Sequence, residues 1–225
     1  PGGLRNTAIK PETGWNFEVG AKGSVSELLW FEVSVYYMKV KNLLVARRTA
    51  EDEYMGINAG STNHHGLEIK LDYLLIERPK WSSFFRINAN LTRYRFAKFV
   101  DNGINYSGNK LTGTPASTTN WMLETIHSKG LFLNLHVKTV GRMPMRDDNA
   151  LFTDAYQLAN LMAGYEKSFR KLSVSLSSGV QNILDQRFAS MVLINAAAVG
   201  SQSPRYYYPG LPRNYKTMVS LKYSF

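Results

Sequence analysis

The residues that decide the fold are YKTMVSLKYSF, positions 215–225, because two kinds of side chain alternate strictly along them. Successive side chains of a strand point to opposite faces, so this stretch predicts a strand with one apolar and one mainly polar face. An apolar face that ends in aromatic residues is typical of a strand in a transmembrane β-barrel. The apolar set is Tyr215, Thr217, Val219, Leu221, Tyr223 and Phe225.

The same alternation recurs along the chain and predicts nine strands. Its clearest example sets Leu67, Ile69, Leu71, Tyr73 and Leu75 against Glu68, Lys70, Asp72 and Leu74. No segment keeps a sustained helical period. The nine predicted segments are 14–22, 31–47, 54–75, 81–92, 120–125, 131–138, 159–166, 172–177 and 215–225.

The predicted connections alternate between short and long. Short links are expected near 23–27, 77–80, 127–130 and 168–171, and long links near 48–53, 96–116, 142–153 and 186–212. Outer-membrane barrels have short periplasmic turns and longer extracellular loops, so this phase predicts an all-β, antiparallel transmembrane barrel in meander order. Bacterial single-chain barrels have even strand numbers, so nine strands predict only a portion of one.

Composition excludes several other classes of protein. The chain has no cysteine, which rules out disulfides and cysteine-based metal sites. The net charge of +10 is spread over loops, turns and faces without a dense basic run, so we set nucleic acid aside as a partner. The four histidines form no convincing catalytic arrangement, and we expect neither an enzyme nor a cofactor. Because the chain opens on Pro1-Gly2-Gly3, we expect a piece of a longer precursor.

No resident metal site is predicted either. His64 and His65 are adjacent in a predicted strand and therefore point to opposite faces. Asp147 and Asp148 lie in a long loop, but two carboxylates alone are a poor calcium signature. We expect these two carboxylates to form a solvated loop tip.

Three segments resemble those of TonB-dependent outer-membrane receptors. Residues 4–23, which include KPETGWNFEVGAKG at 10–23, are similar to the family's "KPE…E.G.KG" segment, and residues 58–68, NAGSTNHHGLE, to its "N.G….GLE" strand. Residues 181–188, QNILDQRF, are similar to its "NLFD..Y" segment. The stretch RYYYPGLPR at 205–213 resembles the iron-complex branch, close to ferric-citrate receptors.

The resemblance implies a function for the parent protein. Residues 1–225 would be the carboxyl-terminal part of a barrel of about 22 strands, without the plug and the earlier strands. The parent would lie in the bacterial outer membrane, in contact with lipid and lipopolysaccharide. It would take up a metal chelate, a ferric siderophore or ferric citrate, with energy from the TonB complex. Tyr223 and Phe225 would form the signal that the barrel-assembly machinery reads.

Two sets of candidate functional residues follow. Arginine binds carboxylates through paired hydrogen bonds and tyrosine offers flat contact area, which suits an anionic chelate at the extracellular mouth, although binding of lipopolysaccharide phosphates explains the same residues. The mouth residues are Arg47, Arg48, Arg146, Arg205, Tyr206, Tyr207, Tyr208 and Arg213. The residues expected to face the lumen and plug are Glu68, Lys70, Asp72, Arg86, Glu124, His136, Lys138 and Glu166.

Two other interpretations stay open at this point. A complete small outer-membrane barrel, such as a porin or translocator, would show an even strand number with its first and last strands paired. A soluble β-sheet binding protein would bury the apolar face of residues 67–75 in a two-sheet core.

Overall fold

The computed structural model describes residues 6–50, 53–58, 60–101, 103–196, 198, 201 and 203–224, with the side chains of 45–50 and 53–54 outside the description. Within this part of the chain, every regular element is a strand. None of its residues forms a helix long and apolar enough to cross a membrane, a finding that does not bear on strands.

Nine of the strands form one antiparallel sheet in the order β1-β2-β5-β6-β9-β10-β11-β12-β15. This confirms the predicted all-β meander. The strands of the sheet are β1 (Thr13–Ser26), β2 (Leu29–Lys41), β5 (Ser61–Arg78), β6 (Trp81–Lys98), β9 (Ser117–His127), β10 (Leu131–Val140), β11 (Tyr156–Phe169), β12 (Leu172–Gln181) and β15 (Asn214–Tyr223).

Six short strands form three separate two-stranded hairpins inside the long connections. They are β3 (Leu44–Ala50) with β4 (Glu53–Asn58), β7 (Val100–Asp101) with β8 (Ile104–Asn105), and β13 (Ala189–Val192) with β14 (Tyr207–Pro209). The long connections are loop L1 (42–60), loop L2 (99–116), loop L3 (141–155) and loop L4 (182–213). They leave the sheet at one end, the loop end, and the four short turns lie at the other, the turn end.

Strand pairing brings residues of one kind side by side across the sheet. One face, the apolar face, carries rows such as Leu123, Leu135, Leu161, Val180 and Tyr215. These apolar side chains are not covered; Leu221, for example, is 69% exposed. Exposed apolar area of this extent marks a surface that meets lipid or a partner.

The opposite face, the polar face, carries rows of charged and amide side chains. One such row contains Lys22, Glu32, Lys70, Asn88 and Asn120. The two faces of the sheet therefore differ in polarity, because successive side chains of each strand point to opposite faces.

Three details differ from the sequence-based expectation. The second strand was expected to run to position 47, but β2 ends at Lys41 because Asn42 adopts a positive φ of 57°. The chain then enters the separate β3–β4 hairpin and rejoins the sheet after Gly60, which has a φ of 75°, so the third strand begins at Ser61 and not at the expected position 54. In β5 the register shifts between Leu74 and Ile76, so Ile76 pairs with the next strand in place of Leu75, which was expected on the apolar face.

The distinguishing features of the two other interpretations are not found in the described part of the chain. The sheet has nine strands, and its edge strands β1 and β15 do not pair with each other. The apolar face of β5 is not packed under a second sheet, since Tyr73 remains 39% exposed.

Glycine makes room for an aromatic ring on the polar face. Gly66 in β5 lies directly opposite Tyr36 in β2, and a Cβ at Gly66 would fall inside the Tyr36 ring. The Tyr36 hydroxyl also hydrogen bonds to the Tyr94 hydroxyl in β6 at 2.5 Å. One small residue thus lets a tyrosine span three neighbouring strands.

We expect Gly66→Ala to lower the free energy of unfolding by about 1–3 kcal/mol, because the Tyr36 ring must leave its position. The measurement is the melting temperature, followed by the loss of the circular-dichroism signal of the strands. Gly23→Ala is the matched control, because its Cβ would meet only the Phe31 ring at 3.8 Å, an ordinary contact. Equal melting temperatures for Gly66→Ala and the wild type would contradict the prediction.

Candidate functional site

The loop end is the candidate functional site, because the long loops meet there. Loop L1 is also covered by the segment before β1: the Asn6 side chain donates to the Gly56 carbonyl at 3.0 Å. The Lys10 amide donates to the Asn58 side chain at 2.9 Å, and Asn58 Nδ2 donates back to the Lys10 carbonyl at 3.0 Å. The amino-terminal segment and L1 therefore form one ordered unit.

A small hydrophobic cluster anchors L2 to the sheet. Phe96 and Phe99 are 3% and 4% exposed, with ring centroids 4.6 Å apart. Leu43 of L1 and Tyr106 and Leu111 of L2 pack against them. This cluster joins L1 and L2, because burial of apolar surface is the largest favourable contribution to folding.

Asp147 joins three loops through hydrogen bonds. Its Oδ1 accepts from the Thr112 hydroxyl of L2, and its Oδ2 accepts from Asn195 Nδ2 of L4 at 2.8 Å. Its backbone carbonyl accepts from Asn109 Nδ2 of L2 at 2.7 Å, and its amide donates to Asn195 Oδ1 at 3.1 Å. The expected solvated tip at Asp147 is therefore wrong, because the carboxylate binds the neighbouring loops.

Asp148 behaves differently from its neighbour. It pairs with Arg146, whose side chain is 46% exposed, and accepts from the Ala150 amide at 2.9 Å. These contacts lie within L3 and bind no other loop. The expectation of a solvent-facing carboxylate thus applies to Asp148 alone.

A buried asparagine organises the start of L4. Asn182 is 4% exposed and has a φ of 51°. Its Nδ2 donates to the carbonyls of Gln186 at 2.9 Å and Leu211 at 3.1 Å, which holds the two ends of the loop together. The Asn160 side chain in β11 accepts from its amide at 2.9 Å.

The arginine predicted at the end of L4 is held by the same turn. The Arg213 amide donates to Asp185 Oδ1 at 2.8 Å, and its Nε donates to the Ile183 carbonyl at 3.0 Å. Part of the guanidinium is therefore committed to the loop backbone. Its terminal nitrogens make no hydrogen bond among the described residues.

The tyrosine run of L4 lies in and beside the β13–β14 hairpin. Met191 pairs with Tyr208 and Val192 with Tyr207, so these two tyrosines point to opposite sides of the hairpin. They are 56% and 57% exposed, and Arg205 is exposed as well. Tyr206 is half-buried, and its carbonyl accepts from the Leu193 amide at 2.7 Å.

The other predicted mouth residues are spread over L1 and L3. Arg47 and Arg48 lie in β3, and their side chains are outside the description. Arg146 lies in L3, next to the Asp147 junction that ties L3 to L4. All eight mouth residues therefore occupy the loop end, and their role in binding stays a prediction.

Sequence reasoning missed a cationic and aromatic group between L2 and L3. The Phe152 ring lies 5.4 Å from Lys110 Nζ and 5.2 Å from the Arg142 guanidinium carbon. Cations at such distances are attracted by the face of an aromatic ring. No alternation or motif marks these loop residues, because their proximity depends on how L2 and L3 pack.

The eight residues expected to face the lumen lie on the polar face. Asp72 pairs with Arg86 at 2.5 Å, Lys70 Nζ lies 4.8 Å over the Trp30 ring, and the His136 ring contacts Asn120 at 3.2 Å. A groove of about 510 Å³ on this face is lined by Glu18, Glu32, Glu68, Lys70 and their neighbours. Contact of this face with a plug stays a prediction.

The predicted assembly signal lies on β15. Tyr223 pairs with Leu172 on the apolar face and is 57% exposed, whereas Phe225 lies outside the described residues. Recognition of this strand by an assembly machinery stays a prediction. Within the described residues, no group of three His, Cys, Asp or Glu side chains is placed to hold a metal ion.

Comparison with known proteins gives a family match. A family model described as "TonB dependent receptor-like, beta-barrel" matches residues 1–183, which is most of the chain. This family consists of receptors rather than enzymes, which confirms that expectation.

Solved structures share the fold at low identity. The ferric citrate transporter FecA in its unliganded form aligns with a TM-score of 0.73 and 16% identity over 94% of this chain and 31% of its own. A mutant of the ferric enterobactin receptor PfeA from Pseudomonas aeruginosa, in complex with enterobactin, aligns with a TM-score of 0.71 and 22% identity over 98% of this chain and 32% of its own. The copper transporter OprC aligns with a TM-score of 0.69 and 16% identity over 97% of this chain and 32% of its own. The chain thus spans about a third of the length of these proteins.

We expect Asp147→Ala in the full-length protein to loosen L3 and L4 without unfolding the barrel. The substitution removes two hydrogen bonds to a charged group, worth about 1–3 kcal/mol together at this partly exposed site. Limited proteolysis of the folded protein should then cut L3 or L4 faster than in the wild type. Asp148→Ala, whose contacts stay within L3, is the matched control and should leave the cleavage rate unchanged. Equal cleavage of both variants would contradict the role of Asp147.

Proposed function

We propose that this chain, which belongs to the TonB-dependent receptor β-barrel family, forms part of the wall of an outer-membrane transporter for an anionic metal chelate. Receptors of this family bind metal chelates and TonB and contain a plug. The observation that carries the proposal is the loop end, where ordered loops hold arginine, lysine and tyrosine side chains above a two-faced sheet.

The two faces support a definite orientation in the membrane. The apolar face suits lipid, because exposed leucine and valine side chains there find no cover within the described residues. The polar face suits the lumen, where Glu68, Lys70 and the Asp72–Arg86 pair would meet the plug. In this orientation the loop end is extracellular and the turn end periplasmic.

The open edges of the sheet support the proposal that the chain is the carboxyl-terminal part of a larger barrel. Edge strands offer unpaired backbone donors and acceptors, and in lipid each unpaired group costs several kcal/mol. Further strands of the parent would pair with β1 and β15 and close the wall. The plug and the segment that contacts TonB would belong to the rest of the parent.

The charge of the loop end supports an anionic substrate, for which we propose a ferric siderophore or ferric citrate. Arg205 and Arg146 are exposed, and Lys110 and Arg142 flank the Phe152 ring. Guanidinium groups bind carboxylates and other oxyanions through paired, charge-assisted hydrogen bonds. Exposed tyrosine rings add flat contact area for a chelate.

The test measures chelate binding by Arg205→Ala and Tyr207→Ala variants of the full-length receptor. We expect each substitution to weaken binding of a ferric siderophore or ferric citrate by roughly tenfold, the effect of losing one charge-assisted hydrogen bond or one well-packed aromatic contact. Receptor abundance in the outer membrane should stay normal, because both side chains are exposed.

Two variants serve as controls for this test. Tyr165→Ala removes an exposed tyrosine from the apolar face near the turn end, and Lys171→Ala removes a positive charge at the turn end. Both should bind the chelate normally. Unchanged binding by the Arg205 and Tyr207 variants, or an equal loss of binding and abundance, would contradict the proposal and would mean that these residues have only a structural role at the loop end.

A further inference from the structure

The apolar face changes character at the loop end of β1, β2, β5 and β6. One row consists of Val19, Val35, Leu67 and Leu91, all apolar. Three further rows lie between this row and the loop end. The first consists of Phe17, Tyr37, His65 and Arg93, the second of Trp15, Lys39, Asn63 and Arg95, and the third of Thr13, Lys41, Ser61 and Lys98.

These upper rows form a basic patch, which we define as Lys39, Lys41, Arg93, Arg95 and Lys98. None of the other positions in the three rows is Asp or Glu, whereas Glu18 and Glu68 at the same end of the sheet lie on the polar face. The positive charge is therefore confined to the side that continues the apolar face.

The patch side chains are available to a ligand. Lys39, Lys41, Arg93 and Lys98 are exposed, and in the described part of the chain none of them makes a side-chain hydrogen bond or ion pair. Arg95 donates from Nη1 to the Gly108 carbonyl at 2.5 Å. A charge on the lipid-facing side of a barrel is costly at the membrane centre and tolerated near the interface, so the patch marks the level of the lipid headgroups.

An apolar groove lies directly below the patch. Its volume is about 520 Å³, and its lining includes Phe17, Val19, Val35, Leu67 and Leu91, with Arg93 and His65 at the upper rim. The His65 ring contacts Tyr37 at 4.8 Å between centroids. Cations above an apolar groove fit a molecule with an anionic head and a hydrocarbon chain.

We propose that the basic patch binds the phosphates of a lipopolysaccharide molecule, with an acyl chain lying in the groove. The patch lies on β2 and β6, which are two strands apart and roughly 10 Å across, and it extends from Arg93 to Lys98 along β6, roughly 15 Å. This area accommodates more than one phosphate, which favours a glycolipid with several phosphates over a phospholipid with one. Both amines and guanidinium groups bind phosphate oxygens strongly.

The first experiment measures lipopolysaccharide bound to the purified full-length receptor by native mass spectrometry. The test variant combines Lys39→Gln, Arg93→Gln and Lys98→Gln. The matched control combines Lys80→Gln, Lys129→Gln and Lys171→Gln, which removes the same charge from the turn end. We expect the test variant to bind at least roughly tenfold less lipopolysaccharide and the control to bind normally. Equal retention by test variant and wild type, or equal loss in both variants, would overturn the proposal.

The second experiment uses the wild-type receptor and so does not depend on variants that fold. Lysine acetylation is mapped by mass spectrometry with intact lipopolysaccharide, dephosphorylated lipopolysaccharide or phosphatidylglycerol vesicles. Intact lipopolysaccharide should protect Lys39, Lys41 and Lys98 but not Lys129 or Lys171. Equal protection by the dephosphorylated form or by phosphatidylglycerol, or no protection, would contradict the proposal.

This inference rests on the lipid-facing orientation proposed above but not on the substrate. Chelate binding by the test variant should equal that of the wild type at equal receptor abundance, because the patch lies outside the proposed mouth. A failure of lipopolysaccharide binding is thereby distinguishable from a failure of chelate binding.

Discussion

Backbone pairing in a fixed antiparallel register is the constraint on which the rest of the structure depends. Each strand's side chains alternate between faces, so pairing Leu67 with Val35 on one side and Leu91 on the other places whole rows on one face. A shift of one residue would move every apolar side chain to the opposite face. The apolar face, the polar face and the basic patch are all consequences of this single register.

The sequence predicted the sheet well because alternation is a local signal. The nine strands and the phase of the connections follow from residues two apart, and the structure confirms both. The exceptions arise where a single backbone angle or bulge intervenes. The positive φ of Asn42 ends β2 early, and the bulge before Ile76 shifts the register of β5. A period-two pattern does not reveal either feature.

The candidate site was less predictable because it depends on contacts between distant loops. Arginine and tyrosine marked the loop end by chemistry alone, but the sequence did not indicate that Asp147 binds both Thr112 and Asn195. Nor did it indicate that Lys110 and Arg142 flank Phe152, since Lys110 belongs to L2 and the other two residues lie ten positions apart in L3. The basic patch was missed for another reason: its members alternate with other residues on two strands, β2 and β6, and come together only when both strands pair with β5.

The central claim, that one face of this sheet meets lipid and the other an aqueous lumen, is tested most directly along β10. The chain has no cysteine, so spin labels can be placed at Leu133→Cys, Asn134→Cys, Leu135→Cys and His136→Cys in the full-length receptor. Their collision rates with oxygen, which concentrates in lipid, and with a water-soluble nickel complex are then measured in bilayers. The account predicts high oxygen and low nickel accessibility at positions 133 and 135, with lower oxygen accessibility at 134 and 136. An absence of alternation, or alternation in the opposite phase, would contradict it.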